Sequence, residues 1–291
     1  MQKATTLEKN SSKINWQTLV AVVIFHLLAA AALFTFSWQN LAVAAVLWWI
    51  AGSLGVGLGY HRLLTHRGFK APRWLERTLA VCGSLAMQSG PITWVTTHRL
   101  HHAFTDTDRD PHSPQNGIFW SHMGWILRGT AQNNSEATRK RYSPDLMRDP
   151  FLVTLDNYYW VPIVIVSIGL FAAGGLSMVL WGVFLKTIVG WHTTWLVNSV
   201  THLWGSRRFD IRDTSTNNAL VAALTFGEGW HNNHHAYPRS ARHGLRWYEI
   251  DVNWIQIKVL EKLGLIKNVY AFELGAAEEE PVELVPIQDA A

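Results

Sequence analysis

Four long apolar runs limit what this chain of 291 residues can fold into more than any other feature. They cover residues 16–36, 41–60, 161–179 and 180–204, and Lys186 is the only charged residue within them. A helix needs about 20 apolar residues to cross about 30 Å of hydrocarbon, so each run is long enough or nearly so. The connectors, at 37–40 and around 178–181, are short, which predicts two hairpins of membrane-spanning helices.

The composition agrees with a chain that lies partly in a membrane and partly in water. Charged residues make up 16% of the chain, below the about 25% of an ordinary soluble domain. The first run is too long for a signal peptide and leads directly into a second one. A single cysteine, Cys82, excludes a disulfide framework and any cysteine-rich zinc or iron–sulfur site.

The positions of Lys and Arg predict the orientation. Both hairpin connectors lack them, whereas basic residues precede the first run and follow the second. The positive-inside rule then places both termini and both soluble blocks in the cytoplasm. The net charge of +4 follows from this topology, and the scattered basic residues give no indication of nucleic-acid binding.

The chain divides into a polar N-terminus at 1–15, one membrane domain at 16–274 and an acidic tail at 275–291 that we expect to be disordered. Inside the domain, an apolar run at 79–95 is interrupted by small and polar residues. We expect it to form a helix at the membrane interface that ends at Gly90-Pro91. The soluble blocks are 96–159 and 205–274.

Eight of the 14 histidines fall into three tight groups, each close behind an apolar segment. The groups are His61 and His66; His98, His101 and His102; and His231, His234 and His235. In the second and third groups the spacing i, i+3, i+4 puts all three imidazoles on one helix face, aimed at one point. The five-residue spacing of His61 and His66 does not fit one face of a straight α-helix. We therefore expect one of this pair to lie where the helix frays before Pro72.

So many imidazoles on one membrane face predict a site for two metal ions. Neutral imidazole suits Zn, Cu, Fe and Ni, and eight nitrogens are too many for one ion. Thr194, Asn198 and His202 form a polar stripe on the fourth run, which adds a ninth ligand candidate or packs between helices. Bis-histidine haem ligation would instead need single histidines inside the bilayer. The isolated histidines are interpreted as structural: His26, His112, His122, His192 and His243.

These boxes, their spacing and their order between paired spans resemble the membrane fatty-acid desaturases, specifically the Δ9 acyl group, and most of all its cyanobacterial and plant members. The likeness runs from about Val56 to Val269. Its motifs are Gly59-Tyr60-His61-Arg62-Leu63, Trp94, Asp108-Arg109-Asp110-Pro111-His112, Ser121-His122, Trp195-Leu196-Val197-Asn198-Ser199 and Glu228-Gly229-Trp230-His231-Asn232-Asn233-His234-His235.

The resemblance implies an all-α integral membrane enzyme with four spans and a cytoplasmic, histidine-rich helical cap that holds two irons. The implied iron ligands are His61, His66, His98, His101, His102, His202, His231, His234 and His235, with Asn198 approaching one iron through water. Gln88, Trp94, Thr194 and Trp195 match family positions that shape the bend of an acyl tunnel. The implied reaction is O₂-dependent Δ9 desaturation of a saturated C16 or C18 acyl chain in a plasma or thylakoid membrane.

Two further features concern the partners. Animal acyl-CoA enzymes carry an Arg-Asp pair where this chain has Thr96 and Thr97, which favours a glycerolipid-bound acyl chain over acyl-CoA. The likeness includes no fused cytochrome domain, so electrons would come from a separate ferredoxin or b5-type cytochrome.

Proximity in the sequence makes Glu228, Asp106 and Asp110 candidates to orient the imidazole rings, or else surface ion-pair partners. Two alternative functions stay open. One is a lipid or carotenoid hydroxylase of the same histidine-box class, and the other is a non-catalytic membrane protein that binds or transports a metal.

Overall fold

The computed structural model describes residues 13–129 and 134–275, and within these ranges the chain is helical and contains no β-strand. Most of the predicted N-terminal segment and nearly all of the predicted acidic tail lie outside the described residues. The helices are α1 (Trp16–Ala32), α2 (Trp38–Trp48, continuing as a π-helix over Trp49–Thr65), α3 (Arg73–Ser84), α4 (Pro91–Phe104), α5 (a π-helical turn Trp120–Gly124 followed by Trp125–Leu127), α6 (Glu136–Tyr142), α7 (Pro150–Asn157), α8 (Val161–Val179, continuing as a π-helix over Leu180–Leu185), α9 (Lys186–Ser199), α10 (Ala219–Leu224), α11 (His231–Ala236) and α12 (Val252–Lys262).

Three helical stretches among the described residues are long and apolar enough to cross a membrane: Trp16–Thr35, Trp38–Thr65 and Val161–His202. They contain nearly all of the four predicted runs, because the third stretch joins α8 to α9 over 42 residues. Side chains on these stretches, such as Phe34 and Ile168, stay exposed although they are apolar. An apolar surface of this kind is typical of helices that face lipid.

The first pair of runs turns earlier than its sequence predicts. Phe36 is extended and Ser37 caps α2, with its hydroxyl accepting from the Asn40 N–H at 3.1 Å. Asn40, expected in the connector, therefore already belongs to α2. The helix also extends to Thr65 instead of ending near residue 60.

The second half of α2 is π-helical, and its hydrogen-bond pattern explains how the first histidine group comes together. In a π-helix each N–H donates to the carbonyl five residues earlier, so residues five apart lie above one another. The His66 N–H bonds to the His61 carbonyl at 3.1 Å, and the two rings lie 4.8 Å apart. His66 is the residue directly after the π-helix, which confirms the expectation that one of the pair lies where the helix ends before Pro72.

The helical stretch Val161–His202 breaks at Gly174-Gly175, several residues before the connector that was expected around 178–181. Gly175 has φ 67° and ψ −162°, a backbone conformation open almost only to glycine. The surrounding residues are uniformly apolar, so hydropathy could not locate the turn. The predicted boundary between residues 179 and 180 lies inside a continuous helix.

Helix α3 packs tightly along the π-helical half of α2. A side chain at Gly55 would meet the backbone of Gly83 at 2.3 Å, so the two helices approach closely only because both positions lack one. The interrupted run at 79–95 is split: α3 ends at Ser84, and Gly90-Pro91 begins α4 instead of ending a helix. Proline fits there because the first helical N–H has no intrahelical partner.

A buried core then fixes the end of α2 against the remaining helices. Tyr60 and Leu64 pack against Ile92 and Val95 of α4 and against Leu152 of α7. On its other side, α2 contacts α12, where the Ser53 hydroxyl donates to Asn253 at 2.6 Å. These contacts fix the end of α2 next to α4, α7 and α12.

Candidate metal centre

Four segments present histidines to one buried region of the molecule. His61 and His66 lie at the end of α2, three more lie on α4, and three lie on α11. His202 ends the last helical turn after α9, in the 3₁₀ turn Val200–His202. Helix α11 has only six residues, yet its spacing of i, i+3, i+4 suffices to turn all three rings inward.

The nine histidines divide into two groups whose possible ligand atoms lie within 4.8 Å of one another. The five-histidine cluster consists of His61, His66, His98, His102 and His234, and the four-histidine cluster consists of His101, His202, His231 and His235. The expectation that each H-x-x-H-H box aims at one point is wrong. Each box divides its rings between the two clusters, since His101 turns away from His98 and His102, and His234 turns away from His231 and His235.

The nitrogens inside the clusters converge, and hydrogen bonds pair only some of them. Nε2–Nε2 distances are 3.1 Å for His61–His234 and 3.0 Å for His202–His231. Nε2 atoms of His66, His101 and His235 are buried without a hydrogen-bond partner. Converging nitrogen lone pairs of this kind fit metal ions, for which imidazole is a ligand.

The protonation states agree with ligation, which needs neutral imidazole. Burial, together with neighbouring imidazoles, lowers the pKa of His98, His102 and His231 well below the ordinary value. His101 is the exception: burial opposes its charge, but the Asp110 carboxylate outweighs burial and raises its pKa. Its Nε2 nevertheless remains free to face the four-histidine cluster, because Asp110 binds Nδ1.

Carboxylate oxygens lie close to the Nδ1 atoms of four clustered histidines. His61 Nδ1 lies 2.7 Å from Glu228, and His101 Nδ1 lies 3.0 Å from Asp110. His202 Nδ1 lies 3.3 Å from Asp106, so all three carboxylates that were candidates from sequence proximity contact a ring. Such contacts fix the ring orientation and the tautomer of metal-ligating histidine.

Asp213 is a fourth carboxylate of this kind, and sequence reasoning missed it. It lies in the loop before α10, 2.8 Å from His235 Nδ1. Burial would raise the pKa of Asp213, but the contact with His235 outweighs it and lowers the pKa. No spacing signal could have found it, since 22 residues separate Asp213 from its histidine.

Arg62 was also missed as a supporting residue. It is fully buried and bonds both Asp251, at 2.9 and 3.0 Å, and Glu228, at 3.1 Å. Burial opposes the negative charge of Glu228, but Arg62 and His61 outweigh it and keep its pKa well below the ordinary value. Arg62 therefore keeps Glu228 ionised next to His61.

Two of the histidines that stand alone in the sequence contact the same carboxylates, although they belong to neither histidine cluster. His243 Nδ1 lies 3.2 Å from Glu228, and His112 Nδ1 lies 3.6 Å from Asp110. The interpretation of these two as structural residues stays a prediction. They surround the carboxylates that support the metal ligands.

Two adjoining cavities lie next to the clusters. A volume of about 390 Å³ lies between α1, α4 and α9, and a smaller one of about 70 Å³ lies on the side of α2. Both are lined by Gln88, Trp94, His98, Thr194 and Asn198, so the two cavities meet at these residues. Gln88 donates to Thr194 at 2.9 Å and accepts from the Trp94 indole at 3.3 Å. Trp195 lines only the larger cavity.

Comparison with known proteins gives the family. The fatty acid desaturase family model matches residues 37–254. The chain is 47% identical to a sn-2 palmitoyl-lipid 9-desaturase of Nostoc sp. (strain 36), over 89% of this chain and 92% of the relative. It is 46% identical to a sn-1 stearoyl-lipid 9-desaturase of Anabaena variabilis, over 91% and 97%. It is 40% identical to the Delta-9 acyl-lipid desaturase 1 of Arabidopsis thaliana, over 92% and 87%. The chain therefore belongs to the fatty acid desaturase family, whose members are oxidoreductases.

Proposed function

We propose that the chain desaturates a saturated C16 or C18 acyl chain at Δ9 while the acyl chain is attached to a membrane lipid. The observation that carries this proposal is the pair of adjoining cavities, whose shared wall includes His98 of the five-histidine cluster. Relatives that are 43–47% identical are named 9-desaturases of lipid substrates. The reaction removes two hydrogens and needs O₂ and two electrons.

The nine clustered histidines are our proposed ligands for two irons, and Asn198 is proposed to approach one iron through water. The buried nitrogens without partners support this assignment. Iron bound there supplies the O₂ reduction that oxidation of an unactivated methylene requires. The protein's contribution is orientation: Glu228, Asp110 and Asp213 accept from the ring N–H groups and hold the rings in place.

The residues where the two cavities meet are proposed to form a bend and thereby to fix which carbons of the acyl chain lie next to the irons. Gln88 and Thr194 are hydrogen-bonded to each other, and the Trp94 indole donates to Gln88. These hydrogen bonds hold the three side chains of the proposed bend in place. A saturated chain that follows the bend has one methylene pair at the corner. Positioning of this kind turns a reactive oxidant into a selective one.

A lipid-bound substrate is supported by the start of α4. Thr96 is buried and donates to Ser143 at 2.9 Å, and Thr97 donates to the Thr93 carbonyl at 3.0 Å. Both side chains are uncharged, so neither offers an ionic contact to the phosphates of CoA. Some relatives are named for acyl-CoA substrates, such as the icosanoyl-CoA 5-desaturase of Limnanthes douglasii, so a direct comparison of both carriers is needed.

We further propose four membrane spans within one domain at 16–274, with both termini and the histidine cap in the cytoplasm. The break at Gly174-Gly175 divides the stretch Val161–His202 into segments of 13 and 27 residues. The second is long enough for a span, whereas the first, about 20 Å long at 1.5 Å per residue, crosses only with a locally thinned bilayer. A reporter inserted after Gly175 is expected on the side opposite to one inserted after Asn157. A shared side would contradict four spans.

Electrons are proposed to come from a separate ferredoxin or b5-type cytochrome. In the test, a host without its own Δ9 desaturase expresses the chain with a ferredoxin, and double-bond positions are determined by mass spectrometry. The expected result is a Δ9 monoene that disappears in His231→Ala but not in Asp210→Ala, an exposed control.

Other outcomes of this experiment would change the proposal. A hydroxyacyl product would keep the metal site and overturn desaturation in favour of a hydroxylase. Absence of product together with zinc in place of iron would overturn the enzyme assignment. A fully active His231→Ala variant would overturn the ligand assignment.

A further inference from the structure

Three histidines outside both clusters form a hydrogen-bonded chain that links three helices. His26 lies on α1, His122 on α5 and His192 on α9. His26 Nε2 lies 3.0 Å from His192 Nε2, and His192 Nδ1 lies 3.0 Å from His122 Nε2. These histidines stand alone in the sequence and were interpreted as structural, and only the structure brings them into contact with one another. We refer to His26, His192 and His122 as the histidine chain.

For three neutral rings, the contact at the His26 end determines how the hydrogens of the histidine chain are arranged. His26 Nδ1 lies 2.7 Å from the Val22 carbonyl, which can only accept, so this nitrogen carries the hydrogen. His26 Nε2 then accepts from His192 Nε2–H, and His192 Nδ1 accepts from His122 Nε2–H. At the other end, the Ser199 hydroxyl donates its single hydrogen to the Trp195 carbonyl at 2.8 Å, and its oxygen lies 3.1 Å from His122 Nδ1.

This linear geometry does not suit a third metal site. Each ring uses both of its nitrogens for neighbours in the chain, and no three nitrogens converge on one point. Among the described residues, the groups whose ligand atoms lie within 4.8 Å of one another do not include this set. The histidine chain is therefore a mechanical link between helices.

The histidine chain lies directly behind Trp195. The His192 and His122 rings stand edge-on to the Trp195 ring, with centroids 5.1 and 5.6 Å away. On its other side, Trp195 stacks on Trp191 at 5.7 Å. Trp195, Trp191 and Val22 pack together and line the larger cavity.

We propose that the histidine chain is a positioning device that holds Trp195 and thereby fixes how far an acyl chain advances into the cavity. This inference rests on the proposed function, because it assumes that an acyl chain occupies the cavity. The histidine chain ties together the three helices around Trp195. Displacement by about 1 Å can change a rate about 100-fold, so small movements of this wall alter which carbons react.

The first experiment measures double-bond positions in products of His192→Phe, which keeps a ring but removes both hydrogen bonds. The minor positional isomers are expected to rise about three- to tenfold relative to the main product, and tenfold equals about 1.4 kcal/mol. His122→Phe is expected to act in the same direction. His192→Gln retains a donor and an acceptor and is expected to restore much of the selectivity. A ratio of isomers does not depend on iron loading or on the amount of protein.

Asn40→Leu is the matched control. Asn40 is buried and joins α2 to the helix after Gly175 through Ser177, at the end of α2 far from His61, and it does not line the cavity. The substitution Asn40→Leu also removes a side-chain hydrogen bond between two helices. If weaker helix packing alone changed the isomer ratio, Asn40→Leu would change it as His192→Phe does. An unchanged isomer ratio in both histidine variants, or the same change in Asn40→Leu, would overturn the positioning role.

A second experiment needs no turnover and separates this inference from the proposed function. Iron-free protein is photolabelled with phosphatidylcholine whose stearoyl chain carries a diazirine at carbon 10, and labelled peptides are mapped by mass spectrometry. Wild-type labels are expected at the bend, and His192→Phe is expected to spread them along α1 and α9. Labels outside the cavity would contradict the proposed function, whereas identical cavity labels in both proteins would overturn only the histidine chain.

Discussion

At the scale of single residues, the pairing of imidazole with carboxylate decides how the candidate centre is held. Glu228, Asp110 and Asp106 each belong to a segment next to a histidine box, but Asp213 reaches His235 from a separate loop. That loop is braced internally, because Arg207 donates to the Asp213 carbonyl at 2.7 Å and the Ser215 N–H donates to the Asp213 side chain at 2.9 Å. Asp213 is therefore held in place independently of the metal.

We expect Asp213→Asn to weaken iron binding about 10- to 100-fold, the usual effect of losing a carboxylate behind a histidine ligand. The measurement is iron retained after dialysis against a competing chelator. Asp210→Asn is the matched control, because Asp210 lies in the same loop, is fully exposed and is 3.8 Å from Arg207. Equal iron retention in the two variants would contradict a role for Asp213 at the centre.

At the scale of helices, α8 is kinked at Gly174-Gly175, where the backbone is not helical. Gly175 occupies a positive-φ conformation, and a side chain there would have open space but an unfavourable backbone. The strain of such a conformation in a non-glycine residue is about 1–3 kcal/mol.

Gly175→Ala is accordingly expected to lower the unfolding temperature of the detergent-solubilised protein. Gly169→Ala is the control, since Gly169 has no neighbour within 4 Å of an added Cβ and an ordinary helical backbone. This second substitution should leave stability unchanged or raise it, because alanine favours the helix over glycine. An unaltered melting temperature in Gly175→Ala would show that the turn does not need positive φ.

A group of charged side chains, Arg99, Arg67 and Asp145, also joins α4 to the end of α2. Arg99 of α4 donates to the Leu64 carbonyl at 2.7 Å and to Asp145 at 2.7 and 3.1 Å. Arg67 bonds the same carboxylate. Burial would raise the pKa of Asp145, but the two arginines outweigh it and lower the pKa to about 2.

A lowered carboxyl pKa contributes stability above the unfolded value of about 3.9 and loses it as the pH falls to about 2. We therefore expect Asp145→Asn to reduce stability at neutral pH by about 1 kcal/mol, a modest figure because solvent screens this partly exposed group. The difference from wild type should shrink between pH 4 and pH 2. Chemical unfolding at several pH values measures it, and a constant difference would contradict the role of the charge.

At the scale of the whole molecule, the two histidine clusters join segments that are far apart in sequence. The five-histidine cluster takes rings from α2, α4 and α11, and the four-histidine cluster takes rings from α4, α11 and the turn after α9. A ligand that binds only the folded state stabilises it, by about 4 kcal/mol when its free concentration is 1,000 times its dissociation constant.

Removal of iron by a chelator is therefore expected to lower the unfolding temperature of the purified protein, and added Fe²⁺ should restore it. In His231→Ala the iron-dependent shift should be much smaller, since one cluster has lost a ligand. Differential scanning fluorimetry in detergent measures both. The same shift in wild type and variant would mean that iron acts elsewhere.

Local sequence patterns determined the helical class, the apolar runs and the nine clustered histidines. The length of an apolar run and the spacing i, i+3, i+4 are properties of residues that are close in sequence, so both can be recognised without knowing the fold. The same locality explains three carboxylates that lie close to a histidine box in sequence. It also explains where prediction stopped: Asp213, Arg62 and the histidine chain depend on contacts between distant segments.

Only the tertiary structure decided how the histidines are divided between two clusters. Helices α4 and α11 each send rings to both clusters, because a helix that packs between two sites can serve both with residues on neighbouring positions of one face. It also decided that π-helical hydrogen bonds bring His61 and His66 together, and that α8 turns at Gly175. Backbone geometry and long-range packing set these features, and neither is encoded in the period or the hydropathy of a single segment.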